Sequence, residues 1–86
     1  MPELCRFYGI IIRMFWEDHP PPHFHAAYGN QEALVNIFSG DIIAGSLPLG
    51  ARSLVKQWAE LHREELIEDW NLARTLQQLN RIEPLP

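Results

Sequence analysis

Apolar and polar positions change period halfway along the chain. Leu4–Trp16 is rich in β-branched and aromatic residues, which fits a pleated, half-buried strand. Alternation places Tyr8, Ile10, Ile12, Met14 and Trp16 on its buried face. Arg13 then points to solvent, on the side shared by Phe7, Ile11 and Phe15. The run Glu17-Asp18-His19-Pro20-Pro21-Pro22 ends the strand, because consecutive prolines remove backbone donors and fix φ.

A two-residue turn at Gly29-Asn30 joins His23–Tyr28 to Gln31–Phe38 as a hairpin. That turn sets the register. Tyr28 faces Gln31, Ala26 faces Ala33 and Phe24 faces Val35 on the buried side. His25 sits opposite Leu34, and His23 opposite Asn36, on the other side. A turn at Ser39-Gly40 leads into a further strand, with Ile42 against Ile37 and Ala44 against Val35.

From Pro48 onward the spacing is helical. Leu54, Val55, Trp58 and Leu61 make one apolar stripe, and Leu66, Trp70 and Ala73 a second. A single helix from Pro48 to Leu79 would be about 48 Å long at ~1.5 Å per residue. A domain of this size has a radius of gyration near 12 Å, roughly 30 Å across. A bend near His62–Glu64 is therefore expected, although Trp58, His62, Leu66 and Trp70 keep the i+4 spacing through it.

The fold class is α+β, one domain over 1–86. An antiparallel meander of about four strands (near 4–16, 23–28, 31–38 and 41–46) carries two helices (near 48–62 and 64–79) on one face. Trp58 and Trp70 are placed against the sheet's Ile/Val face. The tail Arg81–Pro86 is expected either to dock at a sheet edge or to fray.

Composition narrows the partners. Seven Lys+Arg against eleven Asp+Glu give a formal charge of −4 without any basic run. Direct nucleic-acid binding is disfavoured, since that attraction needs several cations aimed at phosphates. The acidic second helix, with Glu64, Glu65, Glu68 and Asp69, would repel a groove. Cys5 is the single cysteine and can form neither an internal disulfide nor a thiolate zinc site. No leader pattern and no membrane-length apolar run is present, so a reducing cytoplasm is expected.

The one dense cluster of chemistry-bearing residues is Asp18-His19 with His23-Phe24-His25. Residues two apart on a strand share a face, so His23 and His25 present both imidazoles together. Asp18 or His19, folded back by the prolines, can add a further ligand. Two histidines and a carboxylate suit a divalent ion such as zinc, iron or manganese. His23, His25 and Asp18 are also the candidates for catalysis. The structural alternative is that the rings stack or bond neighbouring groups with no ion involved. Arg6, Arg13 and Arg52 are isolated and read as surface charges, and His62 as a helix-terminal histidine. Leu34, Asn36 and Ile43, beside the histidines on the outer face, form a candidate partner-binding surface.

The string FYGIIIRMFWEDHPPPHFHAAYG, the helix pattern LVKQWAELHREELIEDW and the ending RIEPL resemble the bacterial family called domain of unknown function 4160. Its most specific part is Asp18-His19-Pro20-Pro21-Pro22-His23-Phe24-His25-Ala26, followed by Trp58, His62, Glu65, Leu66 and Trp70. The resemblance implies a small bacterial protein, whose relatives tend to be encoded beside another small protein in a toxin–antitoxin-like layout. It supplies no catalytic residue.

The first functional reading is a protein-interaction module, one component of such a gene pair, binding a small protein or forming a homo-oligomer. The alternative is a metal-dependent hydrolase or nuclease using the His-x-His site. The second alternative is a transcriptional regulator.

Overall fold

Alternating apolar residues, interrupted by turn-forming pairs, fold the first half of the chain into a meander. The structure, a computed structural model, describes residues 2–86. Five antiparallel strands pair in chain order: β1 (Glu3–Phe7), β2 (Ile10–Arg13), β3 (His23–Tyr28), β4 (Gln31–Asn36) and β5 (Ile42–Gly45). Two helices follow, α1 (Leu49–Leu61) and α2 (Arg63–Arg74). Among the described residues, no helix is long and apolar enough to cross a membrane.

The stretch expected as one strand over 4–16 is two. Tyr8 (φ 50°) and Gly9 (φ 81°) both take the left-handed conformation, which twists a two-residue hairpin to match its strands. A Tyr-Gly pair lacks the Asn-Gly signature, so the turn hides among strand-forming residues. It reverses the chain, and Phe7 pairs with Ile10 and Cys5 with Ile12. Phe7 is therefore buried in the core, not outward with Ile11. Tyr8, at the turn tip, is exposed rather than buried. Trp16, past the end of β2, is also exposed, its indole N–H donating to the Gln77 carbonyl (2.9 Å).

The β3–β4 register is as expected, with Phe24 opposite Val35, His25 opposite Leu34 and His23 opposite Asn36. The β4–β5 register differs. Leu34 pairs with Ala44 and Val35 with Ile42, with an irregularity between them. The extra residue on β5 slips the pairing by one and turns Ala44 away from the core. Gly45 (φ 77°) closes this end of β5 against Glu32, where a Cβ would stand 2.2 Å from the Glu32 carbonyl oxygen.

One face of the sheet forms the core. Ile10, Ile12, Met14, Phe24, Ala26, Ala33, Val35 and Ile37 are fully buried there, under Val55, Trp58 and Ala59 of α1 and Leu66 and Ala73 of α2. Trp58 meets Phe24 edge-on and Phe7 at a tilt, each at 5.6 Å between ring centres. Trp70 is buried too, but its aromatic neighbour is His23, at 5.3 Å. Cys5 lies in the same core, and burial pushes its thiol up to about 11.

The helices break at His62 (φ −116°, ψ 27°), as the length argument requires for a molecule 33 Å in its longest dimension. Pro48 precedes the first helical residue instead of occupying that position. The second helix stops at Arg74, short of the expected Leu79, because Leu76 turns left-handed (φ 59°). The Gln77 N–H then donates back to the Leu72 carbonyl (2.9 Å), satisfying the helix end.

Beyond the helix the tail docks along β1. The Ile82 N–H donates to the Leu4 carbonyl (3.0 Å), and the Trp58 indole N–H donates to the Glu83 carbonyl (2.8 Å). The Tyr8 hydroxyl donates to the Pro86 carbonyl (2.7 Å). Leu79 and Ile82 are buried under these contacts.

Candidate metal centre

β3 supplies two of the three converging side chains. His23 and His25 lie two residues apart, so the pleat presents both imidazoles on one side, with ring centres 5.4 Å apart. The proline corner supplies the third. It contains a cis Pro20–Pro21 bond and carries Asp18 back over the strand it precedes. The Asp18 Oδ2 atom stands 3.0 Å from His23 Nε2 and 3.1 Å from His25 Nε2. All three donor atoms fall within 4.8 Å of one another, and among the described residues no other group of three or more is placed this way.

The far side of each ring is also engaged. His23 Nδ1 lies 2.8 Å from the Pro21 carbonyl oxygen. His25 Nδ1 lies 3.3 Å from Glu32 Oε2. A carbonyl and a carboxylate can only accept, so each Nδ1 carries the hydrogen. A neutral ring then has its lone pair on Nε2, and both lone pairs face the same carboxylate oxygen. Such a contact is repulsive unless a positive charge lies between. Two imidazolium rings would supply it at the cost of two like charges a ring's width apart. A single divalent ion supplies it once and uses both lone pairs.

The spacing is compatible with either arrangement, since N–H···O bonds also span about 2.7–3.2 Å. Donors about 2.1 Å from one ion lie roughly 2.9–3.4 Å apart at coordination angles between about 90° and 109°. Both nitrogen–oxygen separations also fall in this range.

Burial of the three donors is graded. The side chains of His23, His25 and Asp18 are 6%, 17% and 23% exposed. Trp70 packs against His23, and Phe15 meets His25 edge-on at 4.2 Å. Partial burial pushes the Asp18 carboxyl up. With a positive charge between the rings and the carboxylate, the facing His25, the His19 N–H and His23 outweigh this and hold it below the ordinary carboxylate range. The site is thus anchored on the tryptophan of α2 at one end and open to solvent at the other.

Of the remaining candidates, His19 does not join the cluster. It is exposed, and its backbone N–H donates to Asp18 Oδ1 (2.9 Å). Leu34 is half-buried on the outer face opposite His25. Asn36 is committed to the following turn, its Oδ1 accepting from the Phe38 and Ser39 N–H groups (2.8 and 3.1 Å). Ile43 is exposed. His62 stacks on Trp58 and bonds Glu65, apart from this site.

Sequence reasoning missed Glu32 and the Pro21 carbonyl. Glu32 was legible from the register: Leu34 faces His25, so Glu32, two residues earlier on the same strand, shares that face.

The curated proteins and the solved structures contain no match to this chain. Residues 9–71, a segment that holds all three converging donors and Glu32, match the family described as Domain of unknown function (DUF4160). The chain belongs to that family.

Proposed function

We propose that Asp18, His23 and His25 hold a divalent transition-metal ion and that the protein is a metal-dependent hydrolase. One observation carries the reading: two imidazole Nε2 atoms converge on one carboxylate oxygen while both Nδ1 atoms are bonded to acceptors. That is the outer arrangement that fixes the tautomer and direction of histidine ligands.

Three protein donors without cysteine differ from structural zinc sites, which close with four. A three-donor set leaves coordination positions for water and substrate. An ion held there would act as a Lewis acid, lowering the pKa of a bound water and polarising an ester oxygen. The water oxygen would join the electrophilic centre as the bond to the leaving group breaks, and the leaving group would depart with the water's proton. The chain's own part is to hold neutral imidazoles in the required tautomer through Pro21 and Glu32, to supply the charge of Asp18, and to exclude water from the His23 side with Trp70.

Untagged protein, purified without chelator, should carry near-stoichiometric zinc, iron or manganese by elemental analysis. The His23→Ala/His25→Ala double variant should carry none. Metal-free wild-type protein that takes up none of these ions at micromolar concentration would refute the assignment.

The interaction-module reading, including a toxin–antitoxin-like partner or a homo-oligomer, draws on less. Asn36 is occupied by its turn and Leu34 is half-buried, which leaves Ile43 as the exposed apolar member of that set.

A further inference from the structure

Arg13 occupies an unusual position. It is the register partner of His25 across β2–β3, on the outer face. Directly opposed residues on one face have Cβ atoms about 4.5–5.5 Å apart, so a guanidinium there is within a side chain's reach of the donor cluster. The sequence reading took Arg13 for a surface charge, yet it is half-buried and has neither a hydrogen bond nor an ion pair among the described residues. Its partner on the other side, Glu3, is already engaged by Arg6 through two bonds of 2.8 and 3.0 Å. The Arg13 charge acts on Glu3, but the guanidinium has no hydrogen-bonding partner of its own among the described residues, and its strand position lies across from His25.

We propose that Arg13 binds a phosphoryl oxygen of the substrate, which makes the substrate class a phosphate ester. This rests on the metal-centre reading above. The carboxylates facing the site are Asp18, spent on the ion, and Glu32, spent on His25. With neutral imidazoles, a divalent ion and those two carboxylates cancel, and Arg13 leaves the centre one positive charge. A tetrahedral dianion meets that charge at two points. One oxygen lies on the ion, and two others face the planar fork, a geometry suited to guanidinium and poorly matched by an ammonium group. Beyond His25 the surface continues as a shallow cleft of about 280 Å³, floored by Leu34 and Ala44 and flanked by Glu32. This can seat the uncharged part of the ester. It holds no further cation, so a single phosphoryl group fits better than a polyanionic strand.

The test uses full-length protein loaded with cobalt or zinc, titrated calorimetrically with inorganic phosphate and, separately, with acetate. Wild type should bind phosphate at least 10-fold more tightly than acetate. Arg13→Met should keep metal affinity within about threefold but lose phosphate affinity by roughly 10- to 100-fold, the usual effect of removing a charge-assisted bidentate contact. Arg13→Lys should fall between, and circular dichroism should show both variants folded. Equal phosphate binding by wild type and Arg13→Met would overturn the role of Arg13. Equal binding of acetate and phosphate by wild type would overturn the phosphoryl class. Either result leaves the metal centre standing, whereas failure of wild type to take up metal overturns both.

Discussion

The Glu32 carboxylate stands 3.3 Å from Nδ1 of His25, on the side of the ring opposite Asp18. It favours the hydrogen on that ring nitrogen and so aims the other at the proposed metal position. Glu32→Gln keeps the size but can present its amide donors to that nitrogen. Metal affinity should fall by about 10- to 100-fold, the usual effect of removing a carboxylate behind a ligating histidine. Competition against a chromophoric chelator measures it, and an unchanged affinity would show that His25 needs no such support.

Metal should also stabilise the fold, because the three donors come together only in the native chain. At free metal 100-fold above the dissociation constant the gain is about 2.7 kcal/mol. For a domain of this size each kcal/mol moves the midpoint by about 4–8 °C. Thermal scans with zinc should therefore show a rise of roughly 10–20 °C that excess chelator reverses. The His23→Ala/His25→Ala protein should show no such rise.

The tail makes a further prediction. Removing residues 80–86 takes away the buried Ile82, leaves the Trp58 indole N–H without its acceptor and bares the β1 backbone at Leu4. The loss should be at least about 2–4 kcal/mol by denaturant titration, from the apolar burial and the orphaned donor together. Light scattering should show association of the shortened chain, since an uncovered strand invites pairing.

Asp69 tests pH dependence. It is fully buried on α2, where Oδ1 accepts the Asn80 N–H (2.9 Å) and Oδ2 has no partner among the described residues. Burial pushes its carboxyl above the ordinary value of 3.8, with Glu68 and Glu65 adding to it and the Asn80 bond opposing. A carboxyl whose folded pKa is raised contributes stability below its unfolded value and loses it as pH rises through the folded one. Asp69→Asn keeps the acceptor without the charge. It should exceed wild type by on the order of 1 kcal/mol at pH 7, with the difference closing toward pH 4. A constant difference across that range would refute the buried-charge account.

Legibility followed the strength of local signals. The Gly29-Asn30 turn is an unambiguous hairpin marker, and the whole β3–β4 register followed from it, including the shared face of His23 and His25. Tyr8-Gly9 carries no such marker, and strand-forming residues on both sides masked it, so β1 and β2 read as one strand. The β5 slip depends on Gly45 fitting against Glu32, a tertiary contact with no local trace. The candidate donors Asp18, His19, His23 and His25 could all be listed from the sequence. That Asp18 joins His23 and His25 and His19 does not was set by the path of the proline corner, which spacing alone cannot supply.

The tail bonded along β1 has a consequence for assembly. It closes one border of the sheet near Leu4, while β5 ends the other with no backbone bond on its outward side among the described residues. A unit with two open borders can add copies without limit, but a unit with one can join a single mate, after which nothing remains to extend. With the tail docked, the β5 border is the one left for edge-to-edge pairing among the described residues.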